Sequence, residues 1–336
     1  MVDTPEDLDL ATAATAALPS VSVVIRSYKR RESLLEILEI LRAQDHPSFE
    51  IVVMEQSAFG EEERAPLDAM AAEDDRLRII YSEPLGVGGA REAGWRQARN
   101  EIVLTIDDDD VPLGTDFVSG HAKNYVDPGV VAVTGRHVYS PDEVCGYKNR
   151  VRARRHCLRY NFFGYPHTFC RFDERVESVT WVHGSNGSVR KSVIERVGGW
   201  DARSTEHDEH PLCLPLQKML RPGERLVFDP SMVLLRRKDI PGGAAVRFEG
   251  PKRIYRMWIR YYHDLVIKHR PLRSIAMYPI FPIASTFSAT WWIWADSMTH
   301  RGITDRVKDS IVTLTASPLW YVEELRRVVG ARRRED

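Results

Sequence analysis

The chain has 336 residues, enough for one large domain with an appendage or for two domains. Its 47 basic and 48 acidic side chains leave a formal net charge of -1, so no global field draws it to nucleic acid or to an acidic substrate. The four cysteines, Cys145, Cys157, Cys170 and Cys213, show no C-x-x-C spacing, which argues against a zinc or disulfide framework and for reduced thiols in a cytoplasmic protein.

The opening stretch, MVDTPEDLDLATAATAALPS, is acidic and rich in Ala and Thr, without the basic and apolar blocks of a signal peptide. Residues 1–19 are therefore expected to form a disordered leader. From there strand and helix signals alternate. Val21 to Ser27 is a branched apolar run, and Ser33 to Gln44 sets Leu34, Leu35, Leu38 and Leu41 at helical spacing. Phe49 to Met54 reads as a strand and Glu61 to Ala72 as a helix. Arg78 to Tyr81, Ala90 to Arg99 and Ile102 to Ile106 continue as strand, helix and strand. Repeated βα units of this length imply a mostly parallel sheet flanked by helices, over a domain spanning 20–240. Further on, Thr115 to Tyr125 reads as a helix and Val130 to Tyr139 as a strand. Residues 140–175 look irregular, and Ser178 to His183 is again strand-like. Past Asp229 the pattern turns helical, at Gly250 to Arg270 and Asp305 to Val329, giving a helical C-terminal region over 241–336.

One stretch of that region, Ile275 to Ala295, carries no charge and is about as long as a bilayer span requires. Pro279, Pro282 and several hydroxyl residues favour a buried or interfacial segment over a spanning one. The terminal RRVVGARRRED fits a membrane-surface contact and equally a solvated tail.

The chemistry concentrates where Ile102 to Ile106 runs into Asp107, Asp108, Asp109 and Asp110. Carboxylates stacked at the carboxyl end of a buried strand repel one another unless a cation or donor network sits among them. A solvated acidic face is the bland reading, but it does not follow a buried strand so abruptly. The place favours a metal-and-phosphate site, since ligands of open α/β sheets bind at strand ends. The run Gly86-Val87-Gly88-Gly89-Ala90-Arg91 lets backbone approach a ligand, yet it lacks the spacing of a dinucleotide or ATP cradle.

Taken in order, the segments VSVVIRSYKR, EIVVMEQS, EPLGVGGAREAGWRQARNEIVLTIDDDD, GSNGSVRKSVIERVGGWD and DEHPLCLPLQKMLRPGERLVFDP resemble the successive motifs of family 2 glycosyltransferases with the GT-A fold. Each motif alone is weak; the ordered set over Val21 to Leu235 is strong. The resemblance implies an inverting transfer from a nucleotide diphosphate sugar, assisted by a divalent cation, Mn2+ or Mg2+. It puts the D-x-D motif on Asp107 and Asp109, with Asp109 the first metal ligand, Asp107 touching ribose or metal, and Asp108 beside the donor. Asp110 reads better as the start of a turn before Pro112. Arg91 would face the nucleotide, and Ser27, Tyr28 and Glu55 would frame the base. Glu55 replaces the family's usual aspartate and Arg26 its usual proline, which leaves the base open.

The catalytic base falls on Glu209, with Asp208 as competitor because the pair is reversed here. His207 and His210 flank that pair and admit a metal-site reading, but polar capping or acceptor contact is favoured. Asn186 aligns with a residue near the donor or acceptor sugar. Trp181 and Trp200 stand open between sugar stacking and core packing. Arg236 replaces a histidine of many relatives; it cannot ligate a cation but can neutralise phosphate. The GGAAVRF segment after it reads as a lid or as a plain loop. The acceptor would be a glycan, a lipid-linked group or a small molecule, reached by a cytoplasmic enzyme with a peripheral membrane contact through the C-terminal region. Two rivals are a sugar-phosphate nucleotidyltransferase and a non-catalytic sugar-nucleotide-binding protein. SYKRRES lacks the glycine-rich loop the first requires, and intact carboxylates at both the metal and base positions argue against the second.

Overall fold

The computed structural model describes residues 18–143, 150–160, 166–167, 171–204, 208–237, 240, 250–261, 280–295 and 302–332. The chain divides into two compact units: Met1–Arg159 with Thr168–Arg236, and Tyr160–His167 with Arg237–Asp336. Residues 1–17 of the leader, His207, the GGAAVRF segment and, within the 140–175 insertion, 144–149, 161–165 and 168–170 lie outside the described residues.

In the first unit, β1 (Val21–Ser27), β2 (Phe49–Glu55), β3 (Leu77–Tyr81) and β4 (Ile102–Asp107) pair in parallel in the order β3-β2-β1-β4. Helices α1 (Arg31–Arg42), α2 (Glu61–Glu73) and α3 (Gly86–Gln97) are the crossovers. Val23, Ile25, Ile51, Val53, Leu104 and Ile106 are fully buried, and α1 meets them with Leu34, Ile37, Leu38 and Leu41. Each such side chain contributes about 1.5–3 kcal/mol of burial free energy, so the branched runs read from sequence decide this half of the fold. The third helix begins earlier than its spacing suggests. The glycine run is its first turn rather than a loop, and Arg91 stands in the second turn. Small residues are needed there because a Cβ on Gly88 would collide with the Asp201 carbonyl, and one on Gly94 with Val24.

The second half of this unit is mixed. α4 (Phe117–Asn124) leads to β6 (Val130–Val138), a short α5 (Arg150–His156), β7 (Val176–Val179), β8 (Gly187–Arg190) and α6 (Lys191–Val197). Then come α7 (Glu209–Met219) and a twelve-residue strand, β9 (Arg225–Arg236). A three-residue strand, β5 (Asp110–Pro112), follows the aspartates. The nine-stranded sheet runs β3-β2-β1-β4-β8-β6-β9-β5, with β7 also on β9. The sheet is parallel through β4, antiparallel at β8, β7 and β5, and parallel again between β6 and β9.

That order has a geometric consequence. Only Asp108 and Asp109 separate β4 from β5, yet three strands lie between them in the sheet. Three Cα steps reach at most about 11 Å, whereas four strand spacings in a flat sheet need about 19 Å. The sheet must therefore curl so that its far edge returns to the tip of β4. The β6–β9 register shifts between Thr134 and Arg136. There Gly135 passes so close to the Met232 carbonyl and Asn186 amide that any side chain would collide.

The second unit contains α8 (Pro251–Tyr261), α9 (Phe281–Ala295) and α10 (Ile303–Arg332). The ring of Tyr255 packs on Trp320 at 5.7 Å, the Thr286 hydroxyl bonds Ser317 at 2.9 Å, and Trp294 Nε1 donates to Ser310 at 2.9 Å. Glu324 is buried among Arg256, Arg260 and Arg327. Burial opposes its ionisation, but Arg260 and Arg327 hold its carboxyl below the ordinary range. No described helix is long and apolar enough to cross a membrane.

Candidate functional site

The parallel ladder sets Ser27, Glu55 and Asp107 side by side at the carboxyl ends of β1, β2 and β4. Arg26 is the ladder partner of Asp107, and its Nε donates to that carboxylate at 2.9 Å. Arg91, buried on α3, donates to the same oxygen at 2.9 Å and also pairs with Asp208. Burial works against an ionised Asp107, yet Arg26, Arg91 and Arg236 outweigh it and hold the carboxyl well below its ordinary value.

The next two aspartates share one cation. Arg30 Nη1 lies 2.6 Å from Asp108 and 3.0 Å from Asp109. Asp108 also accepts the Tyr28 N–H at 3.4 Å, and its carbonyl accepts the Ser33 hydroxyl. Its job is thus to tie the β1–α1 loop to the aspartate run. Asp109 is different. Burial, then repulsion from Asp110 and Asp107, push its carboxyl up to about 7.

Carboxylate oxygens of Asp107, Asp109 and Asp110 all lie within 4.8 Å of one another. An all-oxygen set of this kind suits a hard divalent cation. Asp110 is the least free of the three. It faces Arg236 across the β5–β9 ladder, and its two oxygens accept from Arg236 Nε and Nη2 at 3.2 and 3.1 Å. Asp107 and Asp109 are therefore the residues that fit a cation, and a double positive charge would relieve the repulsion that raises Asp109.

Beside them, Glu55 is fully buried, and its Oε1 accepts the Ser57 N–H at 2.7 Å. Its Oε2 and the Ser27 hydroxyl are buried with no hydrogen-bond partner. A buried, orphaned carboxylate oxygen costs free energy unless a ligand donor meets it. The Tyr28 ring is exposed at the same edge.

On the other side of Asp107 stand Asp208 and Glu209, at the first turn of α7. Asp208 is buried against Arg91, and burial raises its carboxyl pKa, though Arg91 and Arg26 oppose the rise. Glu209 keeps 16% of its side chain exposed, with His210 Nε2 at 3.6 Å. Gly184 makes room for both. A Cβ there would lie 3.0 Å from Arg91 Nη2 and 3.1 Å from Glu209 Oε2. His210 packs edge-on to Trp181 at 4.9 Å; no described cluster of metal-ligating side chains includes it.

Two sequence expectations change, and one left open is decided. Asn186 is not brought to the carboxylates. It is fully buried with φ +64°, its amide donates to the Arg136 and Met232 carbonyls at 3.0 and 3.2 Å, and its oxygen meets His121 at 3.0 Å. It is the clip that holds the curl of β6 and β9. Arg236 does sit beside the aspartates, but it is bound to Asp110 and to the Ser185 hydroxyl at 2.6 Å, so it neutralises protein rather than standing free for phosphate. Trp181 and Trp200 are 1% and 6% exposed, which makes them core. Sequence reasoning missed Arg30, Ser185 and Gly184. Arg30 sits in the SYKR segment already aligned, and only its partner across 78 positions was invisible.

Asn186→Ala is expected to lower stability by about 2–4 kcal/mol, since two buried carbonyls lose their donor and alanine dislikes a positive φ. Urea unfolding checks it. The folded fraction should bind nucleotide as before.

Comparison with known proteins fits this geometry. The model of glycosyl transferase family 2 matches residues 22–198, just over half of the chain. A glucosyl-dolichyl phosphate glucuronosyltransferase of Haloferax volcanii is 29% identical over 227 residues, covering 62% of this chain and 66% of the relative. The chain thus spans just under two thirds of that protein and smaller shares of other relatives. Among solved structures, a mannosyltransferase of Pyrobaculum calidifontis in complex with GDP-Man and Mn2+ superposes with a TM-score of 0.56 at 19% identity, over 95% of this chain and 87% of that one. GalNAc-T7 with UDP, GalNAc and Mn2+ gives 0.53 at 11% identity, over 73% and 55%.

Proposed function

This chain belongs to glycosyl transferase family 2 and has the GT-A fold, and from that premise we propose that it moves a sugar from a nucleotide diphosphate sugar to an acceptor hydroxyl with inversion. The observation that carries the reading is the juxtaposition at one sheet edge of three groups. These are the Asp107–Asp109 oxygen set, the orphaned Glu55 and Ser27 atoms, and the half-free Glu209 beyond Arg91. They supply a diphosphate end, a base end and a proton acceptor in one place.

Glu55 and Ser27 would meet the nucleobase, and Arg91 would hold the catalytic helix to the donor side through Asp208 and Asp107. Glu209 would accept the proton of the acceptor hydroxyl as its oxygen bonds to the anomeric carbon. The bond from that carbon to the diphosphate oxygen breaks on the opposite face, and the electron pair leaves with the diphosphate. A divalent cation, Mn2+ or Mg2+, held by Asp107 and Asp109, supplies positive charge to the departing diphosphate when bound. The solved GT-A neighbours with bound Mn2+ support a divalent cation in this fold without fixing the ion.

For the acceptor, a lipid-linked group is favoured over a free glycan or small molecule. The Haloferax relative's name implies glucosyl-dolichyl phosphate, a lipid-linked sugar, as its acceptor. In this chain Ile283, Phe287 and Trp294 are exposed along one side of α9, and Ile303, Val307, Ile311 and Leu314 along a stripe of α10. Exposed apolar stripes of that length, with Lys308 beside them, suit a helix lying in a membrane surface. The corresponding location is the inner face of the cell membrane, reached from the cytoplasm.

The test is nucleoside diphosphate release from a panel of sugar nucleotides, with lipid-linked and soluble acceptors, with and without EDTA. Acceptor-dependent release that EDTA suppresses is expected. Failure of every sugar nucleotide to bind would overturn the reading. Co-sedimentation with anionic liposomes should be strong at low salt and weaker at high salt; no binding at low salt assigns the stripes to protein contact instead.

A further inference from the structure

We propose that Arg30 is a ligand of the donor's diphosphate that, before the donor arrives, occupies the place of the divalent cation on Asp109. The inference rests on the transferase reading above. Arg30 is not a surface side chain: it is 12% exposed, and a single nitrogen, Nη1, reaches both Asp108 and Asp109. The oxygen it meets on Asp109 belongs to one of the two residues that fit the cation. Two positive groups do not share that position, so a cation entering there displaces the guanidinium.

The loop that carries Arg30 is built to stay while the side chain moves. Tyr28 N–H is held by Asp108, and Lys29 N–H donates to Ser57 at 2.6 Å. Lys29 itself has φ +57°, a state that L residues seldom adopt and that persists only where the surroundings impose it. The strained residue aims the next one, Arg30, inward over the aspartates. Tethered there, a displaced guanidinium remains within a side chain's length of the cation. The nearest incoming anion is the diphosphate that completes the cation's coordination. Arginine recognises such oxygens with paired N–H bonds.

Charge supports the exchange. Arg26, Arg30, Arg91 and Arg236 stand against the five carboxylates of Asp107 to Asp110 and Asp208. The donor-free set is close to neutral. A divalent cation turns it positive, and the diphosphate restores the balance. Arg30 thus serves as counter-ion to the protein in one state and to the substrate in the other.

The two states predict effects of opposite sign from one substitution. Arg30→Ala should bind Mn2+ alone about tenfold more tightly, because nothing competes for Asp109, and bind UDP, GDP or pyrophosphate with Mn2+ about tenfold more weakly. Arg30→Lys should recover part of both. Mn2+ binding is read by electron paramagnetic resonance and diphosphate binding by calorimetry, with circular dichroism to confirm the fold. Unchanged diphosphate affinity, or weakening of both affinities together, would reduce Arg30 to an anchor for Asp108 and overturn the proposal. If Arg30→Ala does not fold, the same two affinities are compared in Arg30→Lys and Arg30→Gln. Loss of nucleotide binding in the wild-type protein would instead refute the transferase reading.

Discussion

Glu209→Gln lowers the turnover rate by at least about a hundredfold and leaves nucleoside diphosphate affinity nearly unchanged, the pattern of a lost general base. The two acidic residues opening α7 occupy different electrostatic positions, and this decides the prediction. Asp208 is fixed by Arg91, which also holds Asp107, so its carboxylate is already spent on protein. Glu209 keeps 16% of its side chain exposed, and the missing Cβ of Gly184 lets its carboxylate lie close against the backbone there. Asp208→Asn is therefore expected to act differently, by loosening Arg91 and weakening donor binding. Steady-state kinetics with a saturating acceptor separates the two. If Asp208→Asn removes turnover at normal donor affinity while Glu209→Gln remains active, the roles are exchanged.

Asp109→Asn should abolish most transfer and at the same time make the metal-free protein more stable. The sign follows from the raised carboxyl. Asp109 titrates at about 7 in the fold against an ordinary 3.8, so between those values the folded protein binds the extra proton. Stability from this group is fully present below pH 3.8 and is lost as pH rises through 7. Asparagine removes the loss. In EDTA at pH 8 the variant should gain about 1–3 kcal/mol, seen as a few degrees in Tm, and the gain should vanish near pH 4. Calorimetry at the two pH values, alongside an activity assay with Mn2+, measures both halves. A variant less stable at pH 8 would show that Arg30 needs Asp109 more than Asp109 resents its neighbours.

Much of this was legible in the chain. Strands from Val21, Phe49 and Ile102 are buried on both faces, so their branched runs announce them without reference to anything distant. The run Asp107 to Asp110 stood out because charge directly after a buried strand is a local signal, whereas Asp109 and Glu209 were singled out only by resemblance to the family's motifs. Asn186 was misread because nothing local distinguishes a ligand-facing amide from one that caps carbonyls; its partners are Arg136 and Met232, far away in sequence. Arg26 and Arg236 stood out as departures from a familiar pattern, yet their meaning lay in strand register. Each sits directly across a ladder from an aspartate. The start of α3 was misplaced because glycines usually interrupt helices, and here close packing overrides that preference.

The short link between β4 and β5 has one more consequence. Asp108 and Asp109 span the seam where the curled sheet meets itself, and the span leaves no slack. A residue inserted there would slide Asp110 off Arg236 and invert which side chains point inward along β5. A change of length is thereby disfavoured in the link that carries the aspartates. The meeting of the aspartates with Arg236 thus rests on the length of a single two-residue bridge.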